Sequence, residues 1–256
     1  FIDAHNHLLW DGDRFNEHKL RMDGKSYTDI AKMGGGIMST VRSTRDASES
    51  ALYTNGMLRL KESLRNGATF VEAKSGYGLS TEDELRLLNI IDQYKGDTNL
   101  PSIHTTWMGA HAVTPEHTYE SYTEEILSDQ LPRVLESDFA ESADVFCEPG
   151  WFTVEQSEDI LRASRNGGLK LRMHIDEFQD GGGGELAAEL KVTTADHAHH
   201  TSMDTRMKMH EANVMTGFLP GTPYCNGHAW PDFEEVTSNN IPFTLATDFN
   251  PNCYIN

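Results

Sequence analysis

Short apolar runs that end on a histidine or an aspartate recur along the chain. The first run, residues 1–9, carries His5 and His7, which are separated by one residue. Because side chains at positions i and i+2 of a β-strand point to the same face, these two imidazoles can converge on one point. Three later runs end in the same manner, at His174, His197 and Asp248. In a parallel barrel the C-terminal ends of separate strands meet at one site, so the pattern predicts such a site here.

Helix-like segments alternate with these strand-like runs. Residues 53–64 place apolar side chains on one helical face, and Thr81 with Glu84 has the spacing of a capping box that begins another helix. About eight such alternations fill the 256 residues, with the eighth strand ending at Asp248. They predict an α/β fold, a single (β/α)8 TIM-like barrel over residues 1–256. An open doubly wound sheet is the alternative, although the chain lacks a G-x-G-x-x-G turn.

The charge and the cysteines narrow the classes of partner and compartment. With 21 Lys and Arg against 40 Asp and Glu, the net charge is −19, which disfavours nucleic acid and anionic membrane surfaces as partners. No apolar run approaches the roughly 20 residues that span a bilayer. Cys147, Cys225 and Cys253 are odd in number and lack C-x-x-C spacing. They favour reduced thiols in a cytoplasmic protein.

Four of the strand-end residues form a candidate metal-ligand set. Three imidazole nitrogens and one carboxylate oxygen suit one divalent ion, Zn²⁺ or Fe²⁺, with a position left for water. An ion in such a site lowers the pKa of its water from 15.7 to roughly 7, so no serine or cysteine nucleophile is needed. The candidate ligands are His5, His7, His174 and Asp248.

Other polar residues near these strand ends have types suited to acid–base chemistry. Glu177 follows His174 by three residues and could act as a general base, whereas the alternative is a solvated loop glutamate. His197 and His111 could polarise a carbonyl group. Asp248, besides binding metal, could carry a proton to the leaving group.

A long polar segment, residues 10–43, follows the first strand and would form the first loop over the barrel site. It contains Arg14, whose guanidinium could bind a substrate carboxylate through two parallel hydrogen bonds. Most arginines face solvent, so the residue type alone leaves both interpretations open.

Six motifs, in order along nearly the whole chain, resemble the imidazolonepropionases of the amidohydrolase superfamily. H-x-H and the final aspartate are common to the superfamily, whereas E-A-K-S-G-Y-G-L, G-A-H-A-V and H-x-D-E-F are typical of the family. The motifs cover residues 3–8, 72–79, 109–113, 174–178, 195–197 and 246–251. The resemblance implies hydrolysis of the ring amide of 4-imidazolone-5-propionate to N-formimidoyl-L-glutamate in histidine degradation, by a homodimer.

The resemblance also implies roles for individual residues. The H-x-H pair, His174 and Asp248 would hold the metal, and Glu177 would act on the water. A small-molecule substrate with a carboxylate would be bound, with its propionate on Arg14. The residues that it places at the carbonyl or along the substrate are His197, His111, Tyr27, Tyr77 and Asn250.

Three features depart from the pattern of the superfamily or of the family. The fourth strand, residues 145–148, lacks the lysine that bridges two metals in binuclear members, so a single metal is expected. The family's small β-sandwich domain, built from both chain ends, is missing, so the chain is expected to be part of a longer protein. Asn252 stands where the family has glycine after Asn-Pro, which puts the geometry of the last loop in question.

Two other functions remain open. A related deaminase acting on an amino-heterocycle such as cytosine or guanine would use the same strand-end ligands, would release ammonia and would not need Arg14 as an anchor. A metal-binding protein without turnover is the second alternative. A structural zinc site is usually closed by four protein ligands, whereas Glu177 and a water position favour an enzyme.

Overall fold

The computed structural model describes residues 1–25, 29–30, 33–227 and 229–253. Eight parallel strands form one sheet in the order β1 to β8, with helices between them, which confirms the predicted (β/α)8 barrel. The strands are β1 (Ile2–Asn6), β2 (Phe70–Lys74), β3 (Ser102–Ala110), β4 (Ser142–Cys147), β5 (Lys170–Ile175), β6 (Thr194–His197), β7 (Met215–Phe218) and β8 (Phe243–Leu245).

Helices lie between successive strands of the described chain, and a π-helical turn (Ile126–Gln130) joins α5 to α6. None of the helices in the described ranges is long and apolar enough to cross a membrane. The helices are α1 (Phe15–Met22), α2 (Ile37–Asp46), α3 (Glu49–Arg65), α4 (Thr81–Asp92), α5 (Tyr119–Glu125), α6 (Leu131–Ser137), α7 (Val154–Asn166), α8 (Gly183–Leu190), α9 (Met203–Glu211), α10 (Gly221–Asn226) and α11 (Phe233–Ser238).

The barrel closes between β1 and the segment that follows β8. The amide of His7 donates to the carbonyl of Phe249 (3.0 Å), and the amide of Asp248 donates to the carbonyl of His5 (3.1 Å). These bonds continue the parallel ladder where β8 has ended. The closure therefore fixes Asp248 beside the two histidines of the H-x-H motif.

The main apolar core lies between the strands and the surrounding helices. Trp107 of β3 and Leu87 and Ile91 of α4 are fully buried in it. A smaller apolar cluster around Phe218 lies under α11. Several strand residues are buried but charged, which is costly unless each charge is paired. Two of these residues, Lys74 of β2 and Asp144 of β4, form an ion pair beside the site described below.

The predicted capping box of Thr81 and Glu84 is wrong. Ser80 caps α4, because its hydroxyl accepts the amide of Asp83 (3.2 Å). The Thr81 hydroxyl donates to Asp129 (2.6 Å). The Glu84 carboxylate faces the loop after β2, where several amides need an acceptor. A serine one position earlier caps equally well, so sequence spacing alone could not choose between them.

The segments that follow β1 and β8 differ from the sequence prediction in detail. The segment at residues 10–43, predicted as a loop, contains α1 and the start of α2. The eighth strand ends at Leu245, three residues before Asp248 rather than on it. Asp248 has a left-handed backbone (φ 49°), so the chain turns there instead of continuing as a strand. This turn directs its carboxylate toward the barrel axis.

Candidate active site

Three imidazoles and one carboxylate meet at the C-terminal end of the barrel. His5 lies in β1, His7 directly follows it, His174 lies in β5 and Asp248 follows β8. Nε2 of His7 is 3.4 Å from Nε2 of His5, 3.3 Å from Nε2 of His174 and 3.4 Å from Oδ1 of Asp248. All four side chains are buried. The structure therefore brings together the four candidate ligands named from the sequence.

The separations and the donor types fit a divalent ion. Tetrahedral zinc with nitrogen and oxygen ligands at 2.0–2.1 Å has ligand atoms roughly 3.4 Å apart. Oδ1 of Asp248 is buried and receives no hydrogen bond within the described chain, whereas Oδ2 accepts the hydroxyl of Thr222 (2.5 Å). A cation would satisfy this otherwise costly oxygen. His5, His174 and His197 form a second group whose ligand atoms lie within 4.8 Å of one another.

Two buried aspartates orient two of these imidazoles. Nδ1 of His5 donates to Asp196 (2.7 Å), and Nδ1 of His174 donates to Asp144 (3.0 Å). Both Nε2 lone pairs are thereby directed at the centre, as in carboxylate–histidine–metal triads. Against the effect of burial, His174 and Lys74 hold the pKa of Asp144 well below its usual range. The ammonium of Lys74 lies 2.6 Å from Asp144. Nothing in the sequence pattern identifies Asp144, Asp196 or Lys74 as a partner of these histidines.

Glu177 and His197 lie beside the imidazole cluster. Oε2 of Glu177 is 3.7 Å from Nε2 of His197, which ends β6. Burial, together with the carboxylates of Asp248 and Glu148, raises the pKa of Glu177 well above 4.5. Burial lowers the pKa of His197 to about 3, so its imidazole is neutral near pH 7. The site thus pairs a carboxyl group that readily holds a proton with a neutral imidazole.

The loop that carries Glu177 is held by a buried carboxylate, that of Glu148 after β4. The amides of Glu177 (2.9 Å), Phe178 (3.2 Å) and Gln179 (3.1 Å) all donate to it. The Phe178 ring stacks on Trp151, with centroids 5.4 Å apart. Burial raises the pKa of Glu148 to about 7. The sequence pattern predicts no role for Glu148 beyond its place at the end of the fourth strand.

His111 has a defined tautomer. Its ring stacks on His7 (centroids 4.9 Å apart), and its Nδ1 lies 2.8 Å from the carbonyl oxygen of Gly76. Because a carbonyl only accepts, Nδ1 carries the proton. Burial, then His7 and His174, lowers the pKa of His111 well below 6.5, so Nε2 has a lone pair. The buried Glu84 carboxylate fixes this loop by accepting the Gly76 amide and two others after β2.

Arg14 lines the same pocket and is oriented by a neighbouring acid. Its Nε and Nη2 donate to one oxygen of the buried Glu17 (2.8 and 2.6 Å), while the other oxygen accepts the amide of Gly36 (2.8 Å). Tyr77 also lines this pocket. Tyr27, the other tyrosine named from the sequence, lies outside the described residues. Arg14 is thus fixed at the mouth of the site.

The turn after β8 is built on two asparagines that line the pocket. The side-chain amide of Asn250 donates to the carbonyl of Asp248 (2.6 Å). Asn252 contacts Arg21 of α1 and donates to Asn226 at the end of α10 (3.3 Å). The side chain of Asn252 therefore links the turn to two helices across the mouth of the barrel.

Three aromatic rings form an apolar wall of the pocket. Phe146 in β4 lies 5.0 Å from Trp151, measured between ring centroids, and Trp151 stacks on Phe178. Such a wall suits a flat ring. The sequence pattern does not predict this wall, because its three rings come from one strand and two separate loops.

The chain is similar in sequence to proteins named imidazolonepropionase. It is 41% identical over 253 residues to the imidazolonepropionase of Caldanaerobacter subterraneus subsp. tengcongensis, covering 98% of this chain and 61% of that protein. It is 42% identical over 255 residues to the imidazolonepropionase of Haloarcula marismortui, covering 99% and 60% respectively. No protein-family model matches the chain.

Similar solved structures confirm the architecture. The 5-methylcytosine deaminase of Klebsiella pneumoniae matches with a TM-score of 0.68 and 13% identity, over 100% of this chain and 65% of that one. The guanine deaminase of C. acetobutylicum matches with a TM-score of 0.63 and 12% identity, over 99% and 61%. At this identity the likeness shows the fold alone. By its sequence the chain is similar to imidazolonepropionases, and it spans about three fifths of the length of the curated relatives it matches.

Proposed function

We propose that this chain is the catalytic barrel of a metal-dependent hydrolase that opens the ring amide of 4-imidazolone-5-propionate. The observation that carries the proposal is one pocket that holds an imidazole–carboxylate cluster, Glu177 and the oriented Arg14. The cluster suits a metal, and the arginine suits a carboxylate on the substrate. Sequence identity of about 40% to imidazolonepropionases supports imidazolone propionate as the substrate.

One divalent ion, zinc or iron, would be held by His5, His7, His174 and Asp248. When bound there, it supplies the positive charge that makes a water molecule nucleophilic at neutral pH. The donor set suits both metals, and the absence of a lysine from β4 supports a single ion. A homodimer is inferred from the family resemblance, and a cytoplasmic location from the three cysteines, which are odd in number and lack C-x-x-C spacing.

The remaining steps belong to the protein's own side chains. Glu177 has a raised pKa, so it can take a proton from the attacking water and return it to the ring nitrogen as the C–N bond breaks. Asp248 is the second candidate for carrying that proton. The buried surroundings keep bulk water away from the exchange.

Carbonyl polarisation is assigned to His197 rather than shared equally with His111. A neutral His197 with its proton on Nε2 can donate to the substrate oxygen. His111 already donates from Nδ1 to Gly76, so its Nε2 suits acceptance of a ring N–H. Arg14 anchors the propionate, with Tyr77 and Asn250 beside the substrate. The substrate contact that the family resemblance implies for Tyr27 lies outside the described residues.

The test is turnover of freshly generated imidazolone propionate by the whole protein, with and without a chelator. The proposal predicts formation of N-formimidoyl-L-glutamate that chelation abolishes and metal restores. Ammonia release from cytosine or guanine, without turnover of imidazolone propionate, would establish the deaminase alternative. Bound metal without turnover of any of these compounds would favour a binding protein.

A further inference from the structure

Two cysteines that are distant in sequence touch each other beside the candidate active site. Cys225 lies in α10, after β7, and Cys253 lies in the turn after β8. Their sulfur atoms are 2.6 Å apart. Cys253 is buried, whereas Cys225 is half-buried and so remains accessible to a small reagent. The fold thus places two thiols in contact with one side open.

The surroundings of Cys225 favour its thiolate. The hydrogen bond from Cys253, and then the guanidinium of Arg21, lower the pKa of Cys225 although burial opposes them. Cys147 offers a contrast, because burial raises its pKa to about 11. Reactive thiols are those with a depressed pKa and partial exposure. Of the three cysteines, Cys225 is therefore the one suited to react first.

We propose that Cys225 and Cys253 are a redox modification site that forms a reversible intramolecular disulfide when the protein meets hydrogen peroxide. The Cys225 sulfur attacks the peroxide O–O bond, giving a sulfenic acid and one water. The Cys253 sulfur then displaces the hydroxyl as a second water, and the S–S bond forms. Two thiol protons and two electrons pass to the peroxide, which is reduced to water.

The disulfide would join two segments that both contact Asp248, namely helix α10 and the turn after β8. Thr222, in the same short helix as Cys225, donates its hydroxyl to Oδ2 of Asp248. Asn250, which exchanges backbone hydrogen bonds with Cys253 (3.1 Å each), donates to the carbonyl of Asp248. Oxidation would therefore link helix α10, which follows β7, covalently to the turn that follows β8. Reduced thiols, as expected from the sequence in a reducing cytoplasm, are the other state of the same pair.

The test treats the whole folded protein with hydrogen peroxide, alkylates the remaining thiols and maps the three cysteines by mass spectrometry. Glutathione in the same tube reports that the oxidant has acted. The expected result is one cross-linked peptide pair containing Cys225 and Cys253, 2 Da lighter than the thiol pair, with Cys147 alkylated. Dithiothreitol should return both thiols.

Matched variants locate the reaction. In Cys147→Ser the same cross-link should form, whereas in Cys225→Ser Cys253 should remain alkylatable. The proposal is overturned if both thiols survive the dose that oxidises glutathione, if either pairs with another cysteine, or if Cys225 proceeds to a sulfinic acid without bridging. None of these readouts depends on catalytic activity, so the proposed hydrolase function can fail without affecting this test.

Discussion

Replacing Glu148 by glutamine should slow catalysis without touching substrate or metal. One Glu148 oxygen accepts the amide of Glu177, and the other accepts the amides of Phe178 and Gln179. A glutamine has only one accepting oxygen. If that oxygen serves Phe178 and Gln179, an NH₂ group faces the amide of Glu177 and the bond there is lost.

The expected size follows from this single bond. Above a pH of about 7, which is the pKa of Glu148, its carboxylate is charged, and a hydrogen bond to a charged group contributes about 1.5 to 3 kcal/mol, so the comparison is made at about pH 8. If that loss is expressed as displacement of Glu177, kcat should fall roughly 10- to 150-fold, because each 1.36 kcal/mol is a factor of ten in rate. KM should change less than about threefold, since Arg14 and its partner Glu17 are not altered.

The assay is steady-state hydrolysis of imidazolone propionate at matched metal content. Glu136→Gln, at an exposed glutamate of α6, is the control and should leave both constants unchanged. A KM that rises with kcat unchanged, or a kcat equal to that of the control, would refute the positioning role. Circular dichroism checks that the variant remains folded.

Three further outcomes follow from the same contacts. Asp144→Asn should weaken metal binding about 10- to 100-fold in a chelator competition, because the His174 imidazole loses the carboxylate that orients it. Asp159→Asn, at an exposed position, is the control, and equal metal affinity in the two variants would contradict the prediction. Arg14→Ala should raise KM for the carboxylated substrate more than it lowers kcat, and an unchanged KM would remove the anchor role. Burial raises the pKa of Glu148 from 4.5 to about 7, so the folded state binds more protons than the unfolded state in that window. The difference in free energy of unfolding between the wild type and Glu148→Gln should therefore fall as pH rises from 4.5 to about 7. A difference that does not change with pH in urea titrations would contradict the raised pKa.

The barrel and its ligand set could be predicted because their signals are local. The spacing of His5 and His7 on one strand face is visible in three residues, and the alternation of strands and helices repeats along the whole chain. The capping box that local spacing predicts for Thr81 and Glu84, by contrast, is wrong, because loop amides outside the helix donate to the Glu84 carboxylate.

The supporting carboxylates could not be predicted in the same way. Asp144 and Asp196 stand in strands, and their partners His174 and His5 are 30 and 191 positions away. Only the closed barrel brings such residues together. Their one sequence signal is a charged residue inside an apolar strand, which does not name its partner. The sequence likewise predicts only separate reduced thiols at Cys225 and Cys253. Their contact depends on the fold, which places helix α10 beside the turn after β8.

The most direct test of the account compares wild type with Glu177→Gln at equal, measured metal content, using imidazolone propionate as substrate. The account predicts that the wild type forms N-formimidoyl-L-glutamate, and that the variant keeps its metal but loses about 10²- to 10⁴-fold in kcat, as expected for a general acid–base group. A metal-loaded variant that turns over at the wild-type rate would contradict the account, because the proton transfer would then not depend on Glu177.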